Sequence, residues 1–144
     1  MKSFPHSTTL KFIFTTFIGS VWVFHGLYSK ILSGIPRHAL IVERVLGESI
    51  AGHATLFIGL MEILLGVWVY TRLQRRACAL VQTLAIVAMN SLEIILARDL
   101  LISALGMVAL NSAFISLIWY WALAGTRANQ RVTSQPDCQS PQAP

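Results

Sequence analysis

The sequence predicts an all-α fold: an integral membrane four-helix transmembrane bundle with a short amphipathic interfacial helix after the first span. Three observations predict it. Apolar residues fill 55% of the 144 positions and charged residues only 12%, about half the charged share of a soluble domain. The apolar residues gather into four runs, each close to the ~20 residues a helix needs to cross the hydrocarbon core. The basic residues sit at the ends of those runs and form no patch or stripe, which is the pattern of membrane topology. The net charge of +5 is therefore not read as a nucleic-acid footprint. A chain of this length is one domain.

The first span is expected over 12–32, after a cytoplasmic segment 1–11. Backbone groups in lipid must be satisfied within the segment, so each span reads as a helix. Ser33-Gly34-Ile35-Pro36 ends the first, because proline cannot continue it. Ala39, Val42 and Leu46 then recur at helical spacing, with Arg37, Glu43, Arg44 and Glu48 elsewhere on the wheel, which predicts the amphipathic helix at the membrane surface. Glu43-Arg44 reads as a surface ion pair. The second span is expected over 52–71, followed by the basic turn Arg72 to Arg76. The third covers 77–97, and Arg98-Asp99 turns it tightly into the fourth, 100–123. Trp119, Tyr120 and Trp121 close that span as an interfacial aromatic belt. Residues 124–144, rich in Gln, Ser and Pro with little to bury, read as a disordered cytoplasmic tail.

Orientation follows from Lys and Arg. With the N-terminus inside, the inner side holds Lys2, Lys11, Arg72, Arg75, Arg76, Arg127 and Arg131, against Lys30, Arg37, Arg44 and Arg98 outside. The bias predicts a multi-pass protein of the cell inner (plasma) membrane, N-in and C-in. Cys78 and Cys138 fall on the cytoplasmic side, where thiols stay reduced, and have no metal-ligand spacing. The first run is longer than a signal-peptide core and no A-x-A-like site follows, so it reads as a retained helix.

Polar groups inside spans are costly and face the bundle interior. This chain carries His25 in the first span, Glu62 in the second, Gln82, Asn90 and Glu93 in the third and Asn111 in the fourth. His25, Glu62, Asn90, Glu93 and Asn111 converge on the outer half of the membrane, the pattern of a ligand-binding pocket. Gln82, Asn90 and Glu93 share one arc of their helix. Thr55, Gly59, Glu62 and Gly66 share another, whose small residues permit close packing. His53 lies opposite Glu62. Lys30 reads as an anchor snorkelling to the interface.

Several chemistries fit these residues. Glu62 and Glu93 can be neutral hydrogen-bonding struts, donating to Asn111 or His25. The cluster can hold a small amphiphile such as a quinone. His25, Glu62 and Glu93 match the ligand count of a mononuclear metal site, but the Glu-x-x-His motif of di-iron bundles is missing, and no metal is assigned. Four helices without an inverted repeat argue against a transporter. No catalytic motif names a reaction.

His25-Gly26-Leu27-Tyr28-Ser29-Lys30, then Glu43-Arg44, Ile58-Gly59-Leu60-Met61-Glu62 with Gly66, and Asn111 together resemble the DoxX-like family of small four-helix membrane proteins, over roughly 12–123. The resemblance implies a transmembrane four-helix bundle. It also implies association with redox enzymes, since the family takes its name from a membrane subunit of a thiosulfate:quinone oxidoreductase and other relatives are accessory or assembly factors. The reading is a redox-associated subunit or accessory factor with an intramembrane pocket for a small molecule, a quinone being the cofactor considered. Its partners are then membrane lipid, a redox-enzyme subunit and that ligand. The alternatives are a non-catalytic assembly or chaperone-like protein, and a small membrane enzyme using Glu62 and His25 as acid and base.

Overall fold

The computed structural model describes residues 6–133. They form α1 (His6–Phe24), a π-helical continuation (His25–Ile31), α2 (Pro36–Leu46), α3 (Glu48–Thr71), α4 (Arg75–Leu96), a 3-10 turn (Arg98–Leu100) and α5 (Ala104–Thr133). Among the described residues there is no strand. Thr9–Ile31, Glu48–Thr71, Arg75–Leu96 and Ala104–Ala124 are each long and apolar enough to cross a membrane. Their outer faces carry exposed side chains such as Phe12, Phe57, Leu84 and Leu105, which water would not tolerate in such number and lipid does. The chain is a multi-pass membrane protein in contact with lipid.

The helices pair as α1 with α3 and α4 with α5. The first pair closes on glycines. A Cβ on Gly59 would lie 2.8 Å from the Gly26 carbonyl oxygen, and one on Gly66 would lie 2.9 Å from that of Gly19. Small residues let helix backbones approach to van der Waals contact in lipid, where no hydrophobic force drives them together. Thr55, Gly59, Glu62 and Gly66 are all buried, as their shared face predicts.

At the end of the bundle near the Arg72–Gln74 turn the two pairs pack against each other. Ile18, Trp22, Val69, Cys78, Ala79, Ile86, Ile118, Trp121 and Ala122 form the core there. Polar side chains tie it together. Trp22 Nε1 donates to Gln82 Oε1 at 2.7 Å, and Gln82 Nε2 donates to the Cys78 carbonyl at 3.2 Å. Trp121 Nε1 donates to Thr15 Oγ1 at 2.8 Å, and Arg75 lies over the Trp121 ring at 5.3 Å. Gln82 is thus a clamp in the packed end. Of the three residues expected as an aromatic belt, Tyr120 is exposed, Trp119 is half-buried and Trp121, 2% exposed, belongs to the core, because adjacent helical residues point apart.

At the other end the pairs separate, and α2 crosses the gap, packing on α3, α4, the π segment and the 3-10 turn. Pro36 opens α2 at its first turn, a position where its missing N–H is no loss. Gly47 alone joins α2 to α3, with φ +87, a backbone conformation that favours glycine. The inward face of α2 differs from the expected one. Ile41 and Val42 are buried and Ala39 is exposed, because Arg37 and His38 turn toward the bundle. Arg44 does not pair with Glu43, since neighbours one apart do not face each other on a helix. It reaches Asp99 at 3.2 Å and ties α2 to the turn before α5.

Span boundaries shift where caps decide them. Helix α5 starts at Ala104 instead of 100, because Ser103 Oγ accepts from the Gly106 N–H at 3.0 Å, an N-cap. It runs on to Thr133, past the hydropathic limit at 123, since Ala, Arg and Gln continue a helix that lipid no longer requires. Residues 1–5 and 134–144, with Cys138 and the rest of the expected tail, lie outside the described residues.

The glycine seam makes a direct prediction. Gly59→Ala and Gly66→Ala should each destabilise the bundle by about 1–3 kcal/mol, the usual cost of overpacking. Gly52→Ala, whose added Cβ meets nothing within 4 Å, should lose no stability. Unfolding by SDS titration in mixed micelles measures all three.

Candidate functional site

The separated end of the bundle encloses a cavity of about 700 Å³. His25, Glu62, Asn90, Glu93 and Asn111 all line it, so the five polar residues picked out from the spans share one hollow. Its walls are mostly apolar: Val21, Trp22, Ile58, Ile86, Met89 and Phe114 belong to the spans. Ile102 and Leu110 line it too, yet are 91% and 74% exposed, so on the α5 side the cavity lies open toward lipid.

Four further polar residues line it: Lys30, Arg37, His38 and Ser103. Lys30 does not snorkel. Its Nζ donates to Glu62 Oε1 in an ion pair whose side chains are 9% and 5% exposed. The π-helical turn explains the pairing. In an α-helix, residues five apart point about 140° from each other. In a π-helix the hydrogen bonds run to the fifth residue, so His25 and Lys30 stack on one side, while Gly26 and Ser29 are buried. A wheel drawn at the α-helical period cannot bring Lys30 to Glu62.

Arg37 and His38 come from the first turn of α2, folded back over the gap. The imidazoles of His25 and His38 stack with centroids 6.1 Å apart. Burial pushes the His38 imidazole down to about 4, and the nearby charges of Lys30, His25 and Arg37 act in the same direction. It is therefore neutral at physiological pH. Only the chain's return over the bundle end, a tertiary event, could have marked these two residues.

Asn111 does not receive a proton from Glu62. Its Nδ2 donates to Asn90 Oδ1 at 2.7 Å and links α5 to α4. One donor-bearing nitrogen on Asn90 and one acceptor oxygen on Asn111 remain beyond that bond. Gln82 lies outside the cavity lining, and His53 is exposed on the far face of α3. Among the described residues no three His, Cys, Asp or Glu side chains come together as a metal-ligand set.

Several buried polar atoms around the cavity lack partners: Glu62 Oε2, Arg37 Nε and His38 Nδ1. An unpaired buried group costs about 1–3 kcal/mol, so such atoms mark where a ligand's polar atoms can be accepted. The hollow is thus amphipathic, with an apolar body and a polar end formed by Glu62, Lys30 and the first turn of α2.

A family model described as the DoxX-like family matches residues 19–119. No curated protein and no solved structure matches the chain.

Two predictions come from this geometry. Lys30→Met leaves a buried carboxylate without its partner and should cost about 3–5 kcal/mol. Lys30→Met with Glu62→Gln should recover most of that loss in the same SDS titration, and simple additivity of the single losses would show that the two side chains do not interact. The second concerns pH. The unfolded chain protonates His38 near 6.5 and the folded chain near 4, so its contribution is complete above about pH 6.5 and declines as pH falls toward 4. His38→Gln should therefore remove up to ~3 kcal/mol of the acid-side loss, seen as a flatter dependence of the melting temperature on pH in detergent.

Proposed function

The chain belongs to the DoxX-like family, and on that premise we propose that it is a redox-associated inner-membrane subunit or accessory factor whose cavity holds a small amphiphile such as a quinone. The observation that carries this reading is the cavity itself. Polar residues from the π-helical segment, α3, α4, α5 and α2 converge on a hollow with apolar walls and unpartnered polar atoms at one end. A pocket that is mostly apolar with a few convergent polar groups is the usual form of a small-molecule site. A quinone matches it: a flat apolar ring and tail for the walls, and carbonyl oxygens for the N–H donors of Lys30 and Arg37. The redox association rests on the family resemblance.

In this reading α2 lies at the outer membrane surface and both ends of the chain face the cytoplasm, in keeping with the Lys and Arg bias. A second reading, a non-catalytic assembly protein, draws support from the Asn111–Asn90 bond, which is interhelical glue of the kind membrane bundles use. In that case the polar cluster serves stability alone.

Extraction of the purified, detergent-solubilised protein followed by mass spectrometry separates the two. A lipophilic quinone, in either redox state, should co-purify near one per chain and fall at least about tenfold in Arg37→Met, since tenfold corresponds to the loss of roughly one hydrogen bond. Empty protein in both preparations, with Arg37→Met only less stable, favours the assembly reading.

A further inference from the structure

Of the unpartnered atoms around the cavity, Glu62 Oε2 is the most demanding. Glu62 is 4% exposed, and its Oε2 is buried without a partner. Its other oxygen is already held by Lys30. A carboxylate oxygen is an acceptor only, and what it lacks is therefore a donor. Among the described side chains lining the cavity, none donates to it. The other unpartnered group of fixed character, Arg37 Nε, is a donor only, and the unused N–H groups of Lys30 are donors too. Donors serve the oxygen of a carbonyl and the oxygen of a hydroxyl alike. Glu62 Oε2 does not: a carbonyl oxygen brought against it has no proton to give and meets a negative charge. Glu93 lines the same cavity but is only half-buried, and neither of its oxygens is a buried atom left without a partner.

We infer that the site selects a hydroxylated head group, a hydroquinone or phenol on an apolar tail, over the corresponding quinone, with the hydroxyl donating to Glu62 Oε2. This rests on the reading of the cavity as a quinone-type amphiphile site and adds the redox state it holds. The bond is of the charge-assisted O–H···O⁻ kind, roughly twice as strong as a neutral one. The apolar walls accept the ring and tail of either form equally, and the lipid-open α5 side admits both. Discrimination falls on one atom of one residue.

The geometry also fixes what the amide replacement does. In Glu62→Gln, Lys30 keeps its acceptor if the amide oxygen takes the place of Oε1. The amide nitrogen then stands where Oε2 stood, and an acceptor becomes a donor. The variant should prefer the quinone.

The test uses three matched probes: a decyl-substituted benzoquinone, its hydroquinone and the hydroquinone dimethyl ether. Each is equilibrated anaerobically by dialysis with the full chain in detergent, against empty micelles, and quantified by mass spectrometry. The hydroquinone should bind the wild-type chain at least about tenfold more tightly than the quinone and the dimethyl ether, the scale of leaving one buried group unmet. Glu62→Gln should invert the order of quinone and hydroquinone. Equal binding of the three probes by wild type, or tighter binding of the quinone, overturns the inference and leaves the cavity reading standing. No binding of any probe overturns both. The wild-type series decides the matter even if the variant fails to fold.

Discussion

Everything at the hollow end of this protein depends on a charge pair that lipid would not tolerate open. Lys30 and Glu62 are nearly buried, and each would be costly alone. They meet because the π-helical segment and α3 touch backbone to backbone at Gly26 and Gly59, and because the π-helical turn swings Lys30 to the side of His25. Either feature without the other leaves two isolated charges in a low dielectric. With both, the pair is closed and one buried carboxylate oxygen is left without a partner. The π-helix is less favourable than an α-helix in hydrogen-bond geometry and is found most often where function requires it; here it places a cation at membrane depth.

The two ends of the bundle solve opposite problems. At one end Trp22, Gln82, Thr15 and Trp121 give each indole N–H an acceptor within the protein, so the interior is filled. At the other, the same four spans part and a short helix is laid across the gap. Only there do unpaired polar atoms accumulate beside empty volume. Filled core and hollow are one design: the packed end fixes the splay, and the splay sets the width of the cavity.

Much of this was legible in the sequence. Four apolar runs gave the spans, and polar residues inside them gave His25, Glu62, Asn90, Glu93 and Asn111, all of which line the cavity. These succeed because burial of polar groups in lipid is so costly that their positions carry information. What was not legible has physical causes. Lys30 looked like an interfacial anchor because the π-helical period differs from the α-helical one used to draw the wheel. Arg37 and His38 lay in a connection whose path depends on tertiary folding. Gln82 and Trp121 looked like pocket stripe and surface belt until their hydrogen-bond partners, sixty and more residues away in the chain, showed them in the packed end.

Four crossings carry a further consequence. An even number returns the chain to the side from which it started, so the basic turn at Arg72–Arg76 and both described ends lie on one face of the bilayer, whichever face that is. The connections on either side of α2 and before α5, with the polar end of the cavity, gather at the opposite end of the bundle. On the function proposed above, a molecule dissolved in the membrane would reach Glu62 from that end, and a protein that grips the chain by its ends would approach from the opposite compartment.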